Sequence, residues 1–297
     1  MQSPVMTSER ILFSTIGTRP FRDWVFSIRT DGKDLRPLLA PEPTRSYLFA
    51  SAHSLLSPIL VTVHEVVQGN SDEKVADRLY IYSPNVHQWR RVLAESVPQG
   101  PGILSPDGNQ AVYCPRKTEN SRETNLAVLD LRTGKSRELF TENGSRVLSP
   151  VWAVSGKIAF LRVFRSPRGL LTELMEVPAE GGKPIRLLPS QDGVVCATYS
   201  PDATRIAVWT KNGLEIIVLA DGKRGLVFKW NPAIDGSFRS SGIGGLAWSK
   251  RGDEIAFALL KEKTGRSELW VVDQAGTNPR KIYSTKEGRI VISEFVD

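Results

Sequence analysis

The chain's three histidines, His53, His64 and His87, lie close together in sequence and invite a metal-site reading. Their expected places are the first strand, the second strand and the third-to-fourth turn of one small sheet. Positions spread in this way along a pleated sheet do not converge on one ion, so no metal is expected. His64-Glu65 begins like the helical zinc-protease motif, but Gln68 stands where the second histidine belongs and the context is a strand. Gly134-Lys135-Ser136 has the ending of a phosphate-binding loop, yet Leu129 occupies the required glycine position and no helix follows, so it reads as a turn. A Gly-x-Ser-x-Gly elbow is absent, which leaves a serine hydrolase without support. Carboxylates are the remaining catalytic candidates. Glu142, Asp192 and Asp235 fall in loops that enter first strands near one rim, where a pair of them could serve a glycan hydrolase or lyase. Cys114 and Cys196 have no motif spacing and read as buried free thiols. No cofactor is expected.

The elements that must carry these residues show themselves as a repeat. "LSPDGNQAVY", "VWAVSGKIAF", "TYSPDATRIAVW" and "AWSKRGDEIAF" align so that Leu104, Trp152, Tyr199 and Trp248 fall at spacings of 48, 47 and 49. A period near fifty means stacked supersecondary units. Each unit reads as four short strands. The first ends in a turn such as Ser105-Pro106-Asp107-Gly108, in which proline presets φ, aspartate caps its own backbone and glycine accepts positive φ. A second strand such as "RIAVW" follows, then a third closing on an acidic-and-glycine turn ("ELWVVDQAG"), then a short fourth ("PRKIY"). With no helical periodicity, each unit is a propeller blade.

Two less regular copies precede these, and the first lacks its innermost strand. The C-terminal "GRIVISEFVD" places Phe295 47 residues after Trp248, where a first strand belongs, and it can join the sheet begun by "RILFSTI". The expectation is therefore one all-β domain spanning 1–297, a six-bladed β-propeller of four-stranded antiparallel blades closed by the C-terminal strand. Blade 1 is expected at 10–40 plus 288–297, blade 2 at 44–94, blade 3 at 98–141, blade 4 at 145–190, blade 5 at 192–230 and blade 6 at 240–284.

Composition bounds the partners. The formal charge of the 297-residue chain is +7, but twelve of its 39 Lys and Arg residues fall in fourth strands and the turns before them, spread around the circumference. Charges on an outer edge discourage edge-to-edge pairing. A nucleic-acid groove would instead gather them on one face among stacking aromatics, so nucleic acid is not the expected partner. No run of eighteen apolar residues occurs, so no membrane insertion is expected. The N-terminus lacks a signal-peptide core. The location reads as cytoplasmic as the sequence stands, or as periplasmic or secreted if a signal has been removed.

The "SPDG…IAF…LWVVD..G" grammar, from about Arg10 to the end, resembles the TolB-like β-propeller family. The Gly-His and Trp-Asp pairs of WD-repeat propellers are absent, as is the sialidase Asp box. The resemblance implies an interaction scaffold that binds a protein or peptide at one face or at the channel mouth. Candidate contacts lie where the repeat is irregular. Phe21, Trp24 and Phe164 sit in long loops as apolar anchors, a set that would equally suit a structural subunit of a larger assembly. Arg146 and Arg289 fall six residues before their blade landmarks, and Arg45 and Arg239 precede two other first strands less regularly. These cations would favour a partner with an acidic group.

Overall fold

The computed structural model describes residues 9–17, 22–68, 73–93, 100–116, 121–167, 169–229, 245–261, 266–286 and 288–297. These form six four-stranded antiparallel sheets arranged as a six-bladed β-propeller, with no α-helix among the described residues. The innermost strands are Arg289–Val296, Arg45–Ser51, Ile103–Leu104, Ser145–Trp152, Cys196–Tyr199 and Leu246–Trp248 for blades 1 to 6 in turn. None of the described residues forms a helix long and apolar enough to cross a membrane.

The turn chemistry expected from the repeat recurs atom for atom. In blade 3 the Ser105 hydroxyl donates to Asp107 at 2.5 Å and accepts from the Gln110 N–H at 2.9 Å, while Asp107 also accepts from the Asn109 N–H at 3.1 Å. Ser200 and Asp202 repeat this in blade 5, with the Arg205 N–H reaching Ser200 at 3.0 Å. Ser249 and Asp253 form a variant in blade 6. These bonds pull the carboxyls of Asp107 and Asp202 down to about 2, since each stabilises the charged form.

Between the blades lie six buried apolar clusters, one at each junction around the ring. A twisted sheet leaves two apolar faces, and only a neighbour on each side covers both. The aromatic landmarks serve these junctions. Trp248 sends its indole N–H to the Thr198 carbonyl of the preceding blade at 3.2 Å, and Tyr199 donates to Glu176 at 2.6 Å.

The ring closes as the repeat implied. Strand Arg289–Val296 pairs antiparallel with Arg10–Ile16, matching Phe295 with Ile11 and Arg289 with Ile16, and Phe295 and Val296 are buried.

The basic residues of the outer strands do more than protect edges. Arg90 of blade 2 donates to the Leu131 carbonyl of blade 3 at 3.0 Å, Arg137 of blade 3 to Ala179 of blade 4 at 2.7 Å, and Arg280 of blade 6 to Thr30 of blade 1 at 3.3 Å. The same type of residue latches one blade to the next at three junctions.

Candidate functional site

The inner strand of each blade begins at the rim where second strands run into third strands. In blade 4 that strand starts Ser145-Arg146-Val147, and the neighbouring loop of blade 3 is tied to it. The Thr124 hydroxyl donates to the Val147 carbonyl at 2.6 Å and accepts from the Val147 N–H at 2.7 Å, while Glu123 accepts from the Gly144 N–H at 3.1 Å. Thr124 also pairs across its hairpin with Arg116. Arg116 and Arg122 are thereby carried up to Arg146, three guanidinium groups from two blades. The Arg146 Nε is buried without a hydrogen-bond partner, and no described carboxylate forms an ion pair with the side chain. Burial lowers the pKa of Arg146, and the charges of Arg122 and Arg116 lower it further.

Glu142, the carboxylate nearest in sequence, is engaged elsewhere. It takes a two-pronged contact from Arg162 at 2.5 and 2.6 Å, and Arg162 continues to Glu173 at 2.8 Å. Phe164, expected in a loop, lies instead within the strand Lys157–Ser166, paired with Leu171 of the next strand, and Arg162 stands over its ring, 4.3 Å from the centroid. Asp192 ends a short 3-10 turn and pairs with Arg224 at 3.0 Å. Trp24 begins its strand and stacks on Phe26 at 5.6 Å, so it packs within the blade. Arg289 is exposed and makes no ion pair with a described residue. Arg45 pairs with Glu65 at 3.2 Å and lies 5.6 Å from the Tyr80 ring centroid. Arg146 thus gathers with two arginines of the neighbouring blade, while Arg45 turns toward its own sheet. Phe21, Arg239 and Asp235 lie outside the described residues.

The three histidines have three separate partners: Ser105 for His53 at 2.8 Å, Asp77 for His64 at 2.7 Å, and Tyr82 for His87 at 3.0 Å. Among the described residues no group of three His, Cys, Asp or Glu side chains is placed to hold a metal ion.

Sequence reasoning passed over Arg116, Arg122 and Glu294. Glu294 lines a cavity of about 130 Å³ walled by the inner strands of all six blades. It accepts the Ala52 N–H, and burial pushes its carboxyl up from the ordinary range. The signal available for Glu294 was a charged residue set in the apolar strand "RIVISEFV"; Arg116 and Arg122 carried none beyond the length of their loop.

The class these features define is a six-bladed β-propeller whose loop rim brings Arg146 together with two arginines of the neighbouring blade. Neither a protein-family model nor a curated protein matches the chain. Solved structures do. The chain is similar to TolB from Acinetobacter baumannii with a TM-score of 0.72 at 15% identity, over 97% of this chain and 66% of that one, so it spans just under two thirds of that protein's length. It is similar to a putative TolB from Agrobacterium tumefaciens with a TM-score of 0.67 at 13% identity, over 95% of this chain and 91% of that one. An oligogalacturonate lyase in complex with manganese matches with a TM-score of 0.56 at 14% identity, over 94% and 75%. At these identities the shared property is the fold.

Proposed function

We propose that the protein is a non-catalytic binding module whose loop rim receives an acidic group of a protein or peptide partner. The observation that carries this reading is Arg146, held beside Arg116 and Arg122 with a buried Nε that has no partner. A guanidinium kept among like charges is a ready donor for a carboxylate or phosphate arriving from outside. Arg239 and Arg289 extend the basic rim in this reading and Phe21 supplies an apolar contact, while Arg45, Trp24 and Phe164 are engaged within their own blades. The resemblance to TolB-like propellers supports a scaffold role. So does the engagement of Glu142 and Asp192 by arginines, which leaves both carboxylates in structural ion pairs.

The test is affinity capture with the purified chain, followed by titration of the captured partner. Arg146→Glu combined with Arg289→Glu should weaken binding by roughly 2 to 5 kcal/mol, the scale for disrupted charge contacts. Unchanged affinity at two salt concentrations in a folded double variant overturns the rim reading. The likeness to an oligogalacturonate lyase motivates one competing assay: turnover of acidic glycans that is lost in Asp192→Asn would replace binding with lyase chemistry.

A further inference from the structure

Blade 2 carries a second group of arginines, on one face of its sheet. The register pairs Arg45 with Glu65, Val63 with Arg78, and Tyr80 with Arg91. Opposed residues in an antiparallel pair share a face, and so do residues two apart. Arg45, Glu65, Arg78 and Arg91 therefore project together, on the side that presents Tyr47, Tyr80 and Trp89 to blade 1. Where that aromatic packing ends, a cleft of about 430 Å³ opens between these side chains and the incoming segment with Glu42 and Thr44. Its size falls in the class of small-molecule sites.

The polar groups of the cleft are satisfied unequally. Glu65 is buried and accepts the Tyr80 hydroxyl at 3.0 Å as well as Arg45 at 3.2 Å. Glu42 accepts the Tyr47 hydroxyl at 2.8 Å, and the Arg91 Nε donates to the Leu93 carbonyl at 3.1 Å. Arg78 differs. Its Nε is buried with no partner, and it forms no ion pair with a described residue. A buried donor left unmade is costly, so such a group in a roomy polar cleft calls for an acceptor from outside.

We infer that this cleft binds a small, singly charged carboxylate, received by the Arg78 fork with Arg45 and Arg91 at its flanks. Among the described residues lining the cleft, three guanidinium groups stand with two carboxylates, a balance that suits a monoanion. A phosphate dianion would overcompensate and be repelled by Glu42 and Glu65. The free lone pairs of those glutamates and the Thr44 hydroxyl can take hydrogen bonds from hydroxyl or amide groups on the ligand. That chemistry is offered by a free hydroxy acid or by the C-terminal carboxylate of a peptide. The inference deepens the binding-module reading, but it turns on Arg78, which the rim contact does not use.

Isothermal titration of the full chain with D-glucuronate, with a short peptide in free-acid and C-terminally amidated forms, and with inorganic phosphate tests it. The expected result is binding of glucuronate, of the free-acid peptide or of both, weakened about tenfold or more in Arg78→Gln, with phosphate weaker than the best carboxylate. Glucuronate alone identifies a free acid as the source; the free-acid peptide, with its amide silent, identifies a chain terminus. Absence of binding by both carboxylates, equal affinity in Arg78→Gln, or phosphate binding as tightly overturns the inference. Should Arg78→Gln fail to fold, Arg91→Gln carries the same comparison. Loss of this site with partner capture intact would leave the rim reading standing, and loss of capture with glucuronate binding intact would do the reverse.

Discussion

Arg146 and Arg162 are close in the same blade and stand in opposite electrostatic positions. Arg162 neutralises Glu142 and the buried Glu173, and Arg186 also reaches Glu173 at 3.2 Å, so Arg162→Ala should cost about 1–3 kcal/mol by removing charged donors from both carboxylates, read as a fall in melting temperature. Among the described residues the charges acting on Arg146 are those of Arg122 and Arg116, and Arg146→Gln should leave stability unchanged or raise it by up to about 1 kcal/mol. A clear destabilisation in Arg146→Gln would mean that the guanidinium has a structural partner. The turn aspartates set an acid limit. Asp107 and Asp202 fall to about 2 in the folded chain from an ordinary 3.8, so their contribution is present above 3.8 and fades as pH drops toward 2. Replacing both with alanine should cost about 1 kcal/mol each at neutral pH through lost turn bonds. The cost relative to the parent chain should shrink in melts run between those pH values; a cost that persists undiminished to pH 2 refutes the assignment.

At the scale of elements, the turn that launches the closing strand has little room. Gly288 has φ +84°, and a Cβ there would sit 2.5 Å from the Ile16 carbonyl oxygen, whereas Gly144 at φ +75° has open space around it. Gly288→Ala should therefore cost about 2–3 kcal/mol, backbone strain plus displacement of the paired strand, while Gly144→Ala should cost only about 1 kcal/mol from strain. Equal losses in a denaturant titration would show that the contact is relieved at no cost. The blade-to-blade latches make a separate expectation. Arg137→Ala removes a charged donor from the Ala179 carbonyl and should cost about 1–2 kcal/mol, although Arg137 lies on an exposed outer strand.

For the whole molecule, the six apolar junctions form a closed circuit, and the C-terminal strand belongs to it. Ile290, Ile292 and Phe295 lie in the cluster between blades 6 and 1, and Val296 in the cluster between blades 1 and 2. Deleting 288–297 removes an innermost strand and wets both junctions, so stability should fall by several kcal/mol. Thermal unfolding followed by circular dichroism checks this. A truncated chain that melts at the temperature of the full chain would refute closure by this strand.

The repeat, the turn chemistry and the closure were legible in the sequence because they are local or periodic. Ser-Pro-Asp-Gly specifies its turn within four residues, and Trp152, Tyr199 and Trp248 recur because each packs at the junction with the preceding blade. The arginine groups were legible only in part. Arg146 and Arg45 stood out by position, but their surroundings depend on which blade lies alongside and which face a residue takes. Only the tertiary structure sends Glu142 to Arg162 instead of Arg146, brings Arg116 and Arg122 across from blade 3, and sets Arg78 in a cleft beside blade 1. Repeats declare how a chain folds within a blade, because those contacts span a few residues. Charge pairing joins side chains far apart in sequence, 20 residues for Glu142 with Arg162 and 47 for Lys250 with Asp297, and that competition for partners is settled only when the ring has closed.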